Sequence, residues 1–170
     1  MFLKERQLRI PNWIFGELIM VRIANENDLE NILDLYLDLH EDSVPADDEK
    51  RRIVWESILN DKKYNLIVNE VDGVIVSSCT CIIIPNLTRN LSPYALIENV
   101  VTERECEGHG YARACLEYAK QIALNNDCYK IMLMTGSHDE RTHEFYRSCG
   151  YKSDGKTAYV NMLREVKFKH

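Results

Sequence analysis

The stretch from Tyr64 to Ile84, "YNLIVNEVDGVIVSSCTCIII", restricts the fold more than any other part of the chain. Two runs rich in β-branched residues flank Asp72-Gly73. A two-residue hairpin loop needs positive φ at its centre, which Asp and Gly supply with least strain. Two antiparallel strands must therefore lie side by side. A lone hairpin is marginal in water, so the rest of the chain has to extend this sheet and cover it.

The remaining periodicities say how. "MVRIA" (20–24) reads as a short strand. Asn27 or Asp28 then caps a helix with helically spaced positions at Leu29, Ile32, Leu33, Tyr36, Leu37 and His40, which Pro45 ends. A second helix is expected from Asp47 to Asn60, burying Ile53, Trp55, Ile58 and Leu59. "PNLTRNLSP" (85–93) is a polar loop and "YALIENVV" (94–101) a strand. A helix over 109–125 puts Ala112, Cys115, Leu116, Ala119, Ile122 and Ala123 on one face. "CYKIMLMT" (128–135) is a strand, 139–148 a helix ended by Gly150, and "TAYVNML" (157–163) the second strand of a terminal hairpin after Asp154-Gly155.

This order predicts an α/β (α+β) fold with a mixed, mostly antiparallel central sheet flanked by helices. It is not a doubly wound nucleotide fold, because the first half lacks strand-helix alternation. The 170 residues suit one domain over 20–170, with residues 1–19 as an N-terminal extension, either a packing arm or disordered. Net charge is −6, and the 21 Lys and Arg form no basic cluster interleaved with aromatics. Nucleic acid is therefore not an expected partner, whereas a cationic substrate such as an amine suits an acidic surface. No apolar run predicts a membrane span. The six cysteines include no C-x-x-C pair, which predicts reduced thiols in a cytoplasmic protein and neither a zinc site nor a redox centre. His138 and His143 are five apart and share no helix face, and no metal ligand set is expected.

The chemistry concentrates in "ENVVTERECEGHGYARACLEYA" (98–119). A strand ends, a loop with Gly108 and Gly110 turns, and a helix begins. Helix starts present unpaired N–H groups at the positive end of the dipole, and glycine lets a phosphate approach the backbone closely. Glu103, Glu105 and Glu107 oppose this with negative charge. The G-x-G spacing alone is equally a structural turn, without the third glycine of a dinucleotide fingerprint or the G-K-[ST] of a Walker loop.

The neighbouring residues resemble the GNAT superfamily of acyl-CoA N-acyltransferases. The family's [Q/R]-x-x-G-x-[G/A] loop falls on Glu105 to Gly110, preceded by Val100-Val101-Thr102, and its later F-Y block on "THEFYRSCGY" (142–151). "ENVV", "CYKI" and "FYRSCGY" are further similar to the glucosamine-phosphate N-acetyltransferase branch. Glu105 departs from the family's Gln or Arg.

The resemblance implies acetyl transfer from acetyl-CoA to a primary amine of a small molecule, by direct attack in a ternary complex. It implies that Val100, Val101 and Thr102 pair with the pantetheine arm, and that Cys106, Glu107, Gly108, His109, Gly110 and Tyr111 face the pyrophosphate. Asp139 takes the place of an Asn that touches pantetheine. Glu98 becomes the general base and Tyr146 the acid for the departing thiolate. Asn86, Thr88 and Arg89 are expected to meet the acceptor, between the first two helices and the 85–93 loop. A homodimer through terminal strands is a further option. Two alternatives stay open: acetylation of protein or peptide amines, and a CoA- or partner-binding module without catalysis.

Overall fold

The computed structural model describes residues 10–14, 17–39, 41–155 and 157–163, with side chains from Ile19 onward. Six strands form one sheet: β1 Ile10–Ile14, β2 Glu17–Ile23, β3 Tyr64–Val71, β4 Val74–Ile84, β5 Tyr94–Thr102 and β6 Ile131–Leu133, neighbouring in that order. All neighbours are antiparallel except β5 and β6, which run parallel. Parallel neighbours need a crossover, and the helix α3 (Tyr111–Asn125) supplies it. The other helices are α1 Leu29–Tyr36, α2 Glu49–Asn60 and α4 Glu140–Ser148.

The hairpin forms as its sequence requires, with Asp72 at φ 47° and Gly73 at φ 86°. Because side chains alternate along a strand, its residues feed two separate cores. Ile67, Cys79, Cys81 and Ile83 meet Cys115, Leu116, Ala119 and Ala123 of α3, with Phe145 and Tyr146 of α4 against them. Leu66, Val68 and Ile75 meet Ile32 and Leu35 of α1 and Trp55 of α2. The protein is thus three layers, with α1 and α2 on one face of the sheet and α3 and α4 on the other.

Several elements differ from the sequence reading. Residues 10–14 and 17–19, placed in the extension, are strand: Ile10 pairs with Val21 and Ile14 with Glu17. α1 stops well short of Pro45. The N–H groups of Leu37, Asp38 and Leu39 bond the carbonyls three residues back, the tightening that ends a helix. Leu37 is exposed, and His40 lies outside the described residues. In α2, Ile53 and Leu59 are exposed and Trp55 is the buried anchor. The 85–93 loop contains a left-handed turn, with Arg89, Asn90 and Leu91 all near φ +60°. β6 is shorter than 128–135. The expected terminal hairpin does not form among the described residues: 157–163 is not strand, and Tyr159, Val160 and Leu163 are exposed.

Candidate active site

β5 and β6 pair only at Ala95–Ile131, Leu96–Met132 and Ile97–Leu133. β5 then runs on to Thr102 with no partner strand on that side among the described residues. Alternate backbone groups of Glu98–Thr102 therefore face an open slot, an edge able to accept an extended, amide-bearing arm. On its other side β5 stays bonded to β4, through a bulge: Thr80 faces Glu98 and Ser78 faces Val101, so Cys79 opposes both Asn99 and Val100. Asn99 sits at φ 51°, a conformation Asn tolerates better than most residues.

The strand leads directly into the glycine loop. The N–H of Glu103 bonds the Val76 carbonyl at 2.9 Å, which fixes the loop's start. A 3₁₀ turn over Arg104–Cys106 follows, then Gly108 at φ 78° and Gly110 at φ 88°, the residue that opens α3. Glycine has no side chain to cap the helix, so the first N–H groups of α3 are left for solvent or a ligand. A Cβ built on Gly108 or Gly110 would meet no protein atom within 4 Å. The glycines face open space, as a phosphate-binding loop requires. The Asn69 side chain, wholly buried, bonds the Tyr111 carbonyl at 3.2 Å and holds this first turn against β3.

The acidic residues are arranged so that they do not fill the loop. Glu105 and Glu107 are exposed, and Glu103 receives the Cys106 thiol at 3.6 Å. His109 is exposed, its Nδ1 near the carbonyls of Cys106 and Glu107, and its ring stacks on Tyr111. The slot and the loop are contiguous, so an extended backbone edge leads directly into the backbone N–H groups that open α3.

Glu98 and Tyr146 approach this slot from opposite faces. Ala95 and Ile97 point into the α3 core, so by alternation Glu98 points toward α1 and α2, half-buried, directly after the last β5–β6 pair. Tyr146 packs on the α3 side, against Phe145 (5.2 Å between centroids) and Tyr151 (6.2 Å). Val100 packs against the same core. Burial raises the Tyr146 pKa above the ordinary tyrosine value, with Cys79 and Cys149 adding to the effect. The phenol is thus a weaker acid than a solvated tyrosine and is protonated at neutral pH. Arg113 of α3 donates to the Ser148 carbonyl (3.0 Å) and hydroxyl (2.8 Å), locking α4 and hence Tyr146 against the crossover helix.

On the Glu98 side lies a cavity of about 530 Å³ between α1, α2 and the sheet, reached by Asn99 next to Glu98. Its lining includes none of Glu98, Asn86, Thr88 and Arg89. The Asn86 amide bonds the carbonyls of Thr88 (2.8 Å) and Ser92 (3.1 Å), and the Arg89 guanidinium lies over the Tyr129 ring. The three sit before the start of β5, four residues and roughly 13 Å of strand from Glu98. Asp139 is likewise engaged. It caps α4 by accepting from the Arg141 N–H at 2.9 Å, and the Arg141 guanidinium at 2.6 Å holds its pKa below the usual carboxylate value.

The geometry agrees with the comparisons to known proteins. The profile of the acetyltransferase (GNAT) family matches residues 29–151. This chain belongs to that family. A putative acetyltransferase from Agrobacterium tumefaciens is 36% identical, superposes with a TM-score of 0.78, and is covered over 84% of this chain and 99% of its own. A glucosamine 6-phosphate N-acetyltransferase of Trypanosoma brucei brucei is 26% identical over 133 residues, 78% of this chain and 88% of its own. The glucosamine-6-phosphate N-acetyltransferase of Arabidopsis thaliana, at 21% identity and a TM-score of 0.75 over 86% of this chain and 99% of its own, shares the fold.

The family resemblance read from the sequence, and the mixed sheet with flanking helices, are thereby shown. Sequence reasoning missed Asn69, Ser77 and Arg113, which position the GNAT site. Ser77 donates to the Val101 carbonyl at 2.7 Å and lies 2.8 Å from the Thr102 hydroxyl, so it pins the strand beside the slot. The available signal was a polar residue inside an apolar strand, as Asn69 is in "YNLIVNEV".

Proposed function

We propose that this GNAT chain transfers an acetyl group from acetyl-CoA to a primary amine of a small molecule, by direct attack in a ternary complex. The observation that carries this reading is the continuity of the open β5 edge with the glycine loop, at the point where Glu98 follows the last β5–β6 pair. Val100, Val101 and Thr102 offer backbone groups to the pantetheine arm. Cys106 to Tyr111 offer the N–H donors of the loop and the first turn of α3 to the pyrophosphate. Acetyl-CoA, when bound, supplies an activated thioester.

The chain's own residues do the rest. Glu98 takes a proton from the incoming ammonium, directly or through water, so that the nitrogen has a free lone pair. Tyr146, protonated at neutral pH, gives its proton to the sulfur as the C–S bond breaks and the new C–N bond forms, and regains one from the nitrogen, which sheds its second proton on becoming an amide. The cavity beside Asn99 holds the amine's body, which fixes the nitrogen near the slot and supplies proximity. A cavity of about 530 Å³ is the size of a small-molecule site, which supports a small acceptor. The names of the relatives, acting on glucosamine 6-phosphate, support N-acetylation in the same way.

The test is turnover. The purified chain is mixed with acetyl-CoA and a broad panel of amines, with thiol release and product mass as readouts. Thiol release dependent on one amine class, with an acetyl adduct on that amine, is expected. Binding of acetyl-CoA without acetylation of any amine would leave a binding module and contradict the proposal.

A further inference from the structure

Three apolar surfaces that would ordinarily close on one another leave a space between them. Leu29, Ile32, Leu33 and Tyr36 recur at helical spacing and form one stripe of α1. Val54, Trp55 and Ile58 line the facing side of α2, and β3 contributes Leu66. Packed interiors leave few voids larger than a water molecule. Here about 530 Å³ stays open, and it reaches Asn99 at the slot. Space of that size in that place suits a small molecule.

The lining decides what kind. Along α1 and the later turns of α2 it is aliphatic or aromatic, and the Tyr36 phenol is neutral, burial pushing its pKa up to about 12. Charge among the lining residues is confined to the start of α2, at Asp48, Lys50 and Arg51. Two of these have work in the fold. Asp48 caps α2 by accepting from the Arg51 N–H at 2.9 Å, and the Arg51 guanidinium pairs with the Glu30 carboxylate. An acceptor with hydroxyls all round its body, as an amino sugar has, would lose their water against the aliphatic walls and gain no hydrogen bonds in return. An alkyl or aryl-alkyl body has no such bonds to lose and is favoured by burial.

Resting on the acetyl-transfer reading above, we propose that the acceptor is a primary amine carried on an apolar alkyl or aryl-alkyl body. The nitrogen lies at Asn99, beside Glu98, and the body lies between the stripes of α1 and α2. Amino-sugar phosphates are poor acceptors for this chain.

The n-alkylamines from propylamine to hexylamine differ in apolar length but hardly in basicity, so they isolate burial. With acetyl-CoA, and thiol release as the readout, kcat/KM is expected to rise about fourfold per methylene, which is the ~0.8 kcal/mol of a buried CH₂. Over the whole series that is about sixtyfold. Glucosamine phosphate is expected to react more slowly than hexylamine. Val54 is half-exposed, and Val54→Trp should crowd the cavity. The rise should then stop at a shorter chain, with the KM for acetyl-CoA unchanged. Circular dichroism of the variant checks its fold.

A rise below about twofold per methylene, or preference for glucosamine phosphate, overturns this inference and leaves acetyl transfer standing. An unchanged chain-length profile in folded Val54→Trp also overturns it, because the body would then lie elsewhere. If no amine is acetylated, the transfer reading fails, and the cavity is tested separately. Trp13→Phe leaves Trp55, in the cavity wall, as the sole tryptophan. Titration with hexylamine should shift its emission, at lower concentration than propylamine does. An emission that neither amine moves overturns the apolar binding site as well.

Discussion

Replacing Asp28 by Ala tests whether the acceptor side is held by a buried ion network. Asp28 is 4% exposed and accepts from Arg22 Nη1 (2.6 Å), Arg22 Nη2 (2.9 Å) and the Asn25 N–H (2.7 Å). Glu70 accepts from the same guanidinium at 2.6 and 3.0 Å. The network joins β2, the start of α1 and β3, so it anchors the helix that forms one wall of the cavity. Removing one partner of a buried pair costs about 3–5 kcal/mol. Glu70 remains, and the Arg22 side chain is 13% exposed, so water relieves part of the loss. The lower end applies, about 3 kcal/mol.

Against a total of about 5–15 kcal/mol this is a large fraction. At roughly 2–4 °C per kcal/mol for a chain of this size, Tm falls by about 6–12 °C. Urea unfolding at neutral pH, followed by circular dichroism, gives the difference directly. A loss under about 1 kcal/mol would refute the argument, since that is the worth of a solvated pair.

The pH dependence supplies a second check. Burial alone would raise the Asp28 pKa, but the Arg22 hydrogen bonds, the Asn25 N–H and the Arg22 charge outweigh it and hold the pKa below its usual value. The folded pKa is therefore below the unfolded one. The contribution is fully present above the unfolded pKa of about 3.9, and is lost as pH falls through the folded value. The gap between wild type and Asp28→Ala should be flat near neutrality and close below about pH 4. A gap that widens in acid would mean the sign is wrong.

Three further outcomes are expected. Glu98→Gln and Tyr146→Phe should each slow turnover by about 10²–10⁴-fold while acetyl-CoA affinity, measured by calorimetry, stays within a few-fold; unchanged turnover removes that residue from the mechanism. Gly110→Ala meets no steric obstacle at its Cβ, so its effect is backbone strain at φ 88°, about 1–2 kcal/mol, read as lower stability together with weaker acetyl-CoA binding. Cys79, Cys81 and Cys115 are buried, with the Cys79 thiol raised by its contact with Cys115 and by burial, and Cys81 raised by burial to about 12. Native-state alkylation at neutral pH should therefore reach the half-buried Cys106, Cys128 and Cys149 before these three, and rapid labelling of Cys79 would contradict the packing.

Local rules made much of this fold legible. Asp72-Gly73 specified the hairpin, helical spacing specified α3 and α4, and the run from strand to glycine loop to helix located the slot. What stayed hidden depends on contacts between distant segments. The bulge at Asn99 exists because β4 and β5 pair out of step around Cys79, which no window of "YALIENVV" reveals. Residues 10–14 read as an arm because the sequence between them and their partner strand, Phe15-Gly16, is neither Asp-Gly nor Asn-Gly. "TAYVNML" alternates like a strand, but alternation supplies a face and not a partner. Asn86, Thr88 and Arg89 were assigned to the acceptor for their polarity, whereas the structure uses their side chains to hold a left-handed turn and to stack on Tyr129.

Calorimetric titration of the purified chain with acetyl-CoA, beside CoA and dephospho-CoA, tests the central claim most directly. The account predicts one site per chain with micromolar affinity, because the donors of the glycine loop and the open edge of β5 are present and Glu105 and Glu107 point to solvent. No heat at millimolar acetyl-CoA would contradict it. The acidic loop would then have defeated the phosphate cradle.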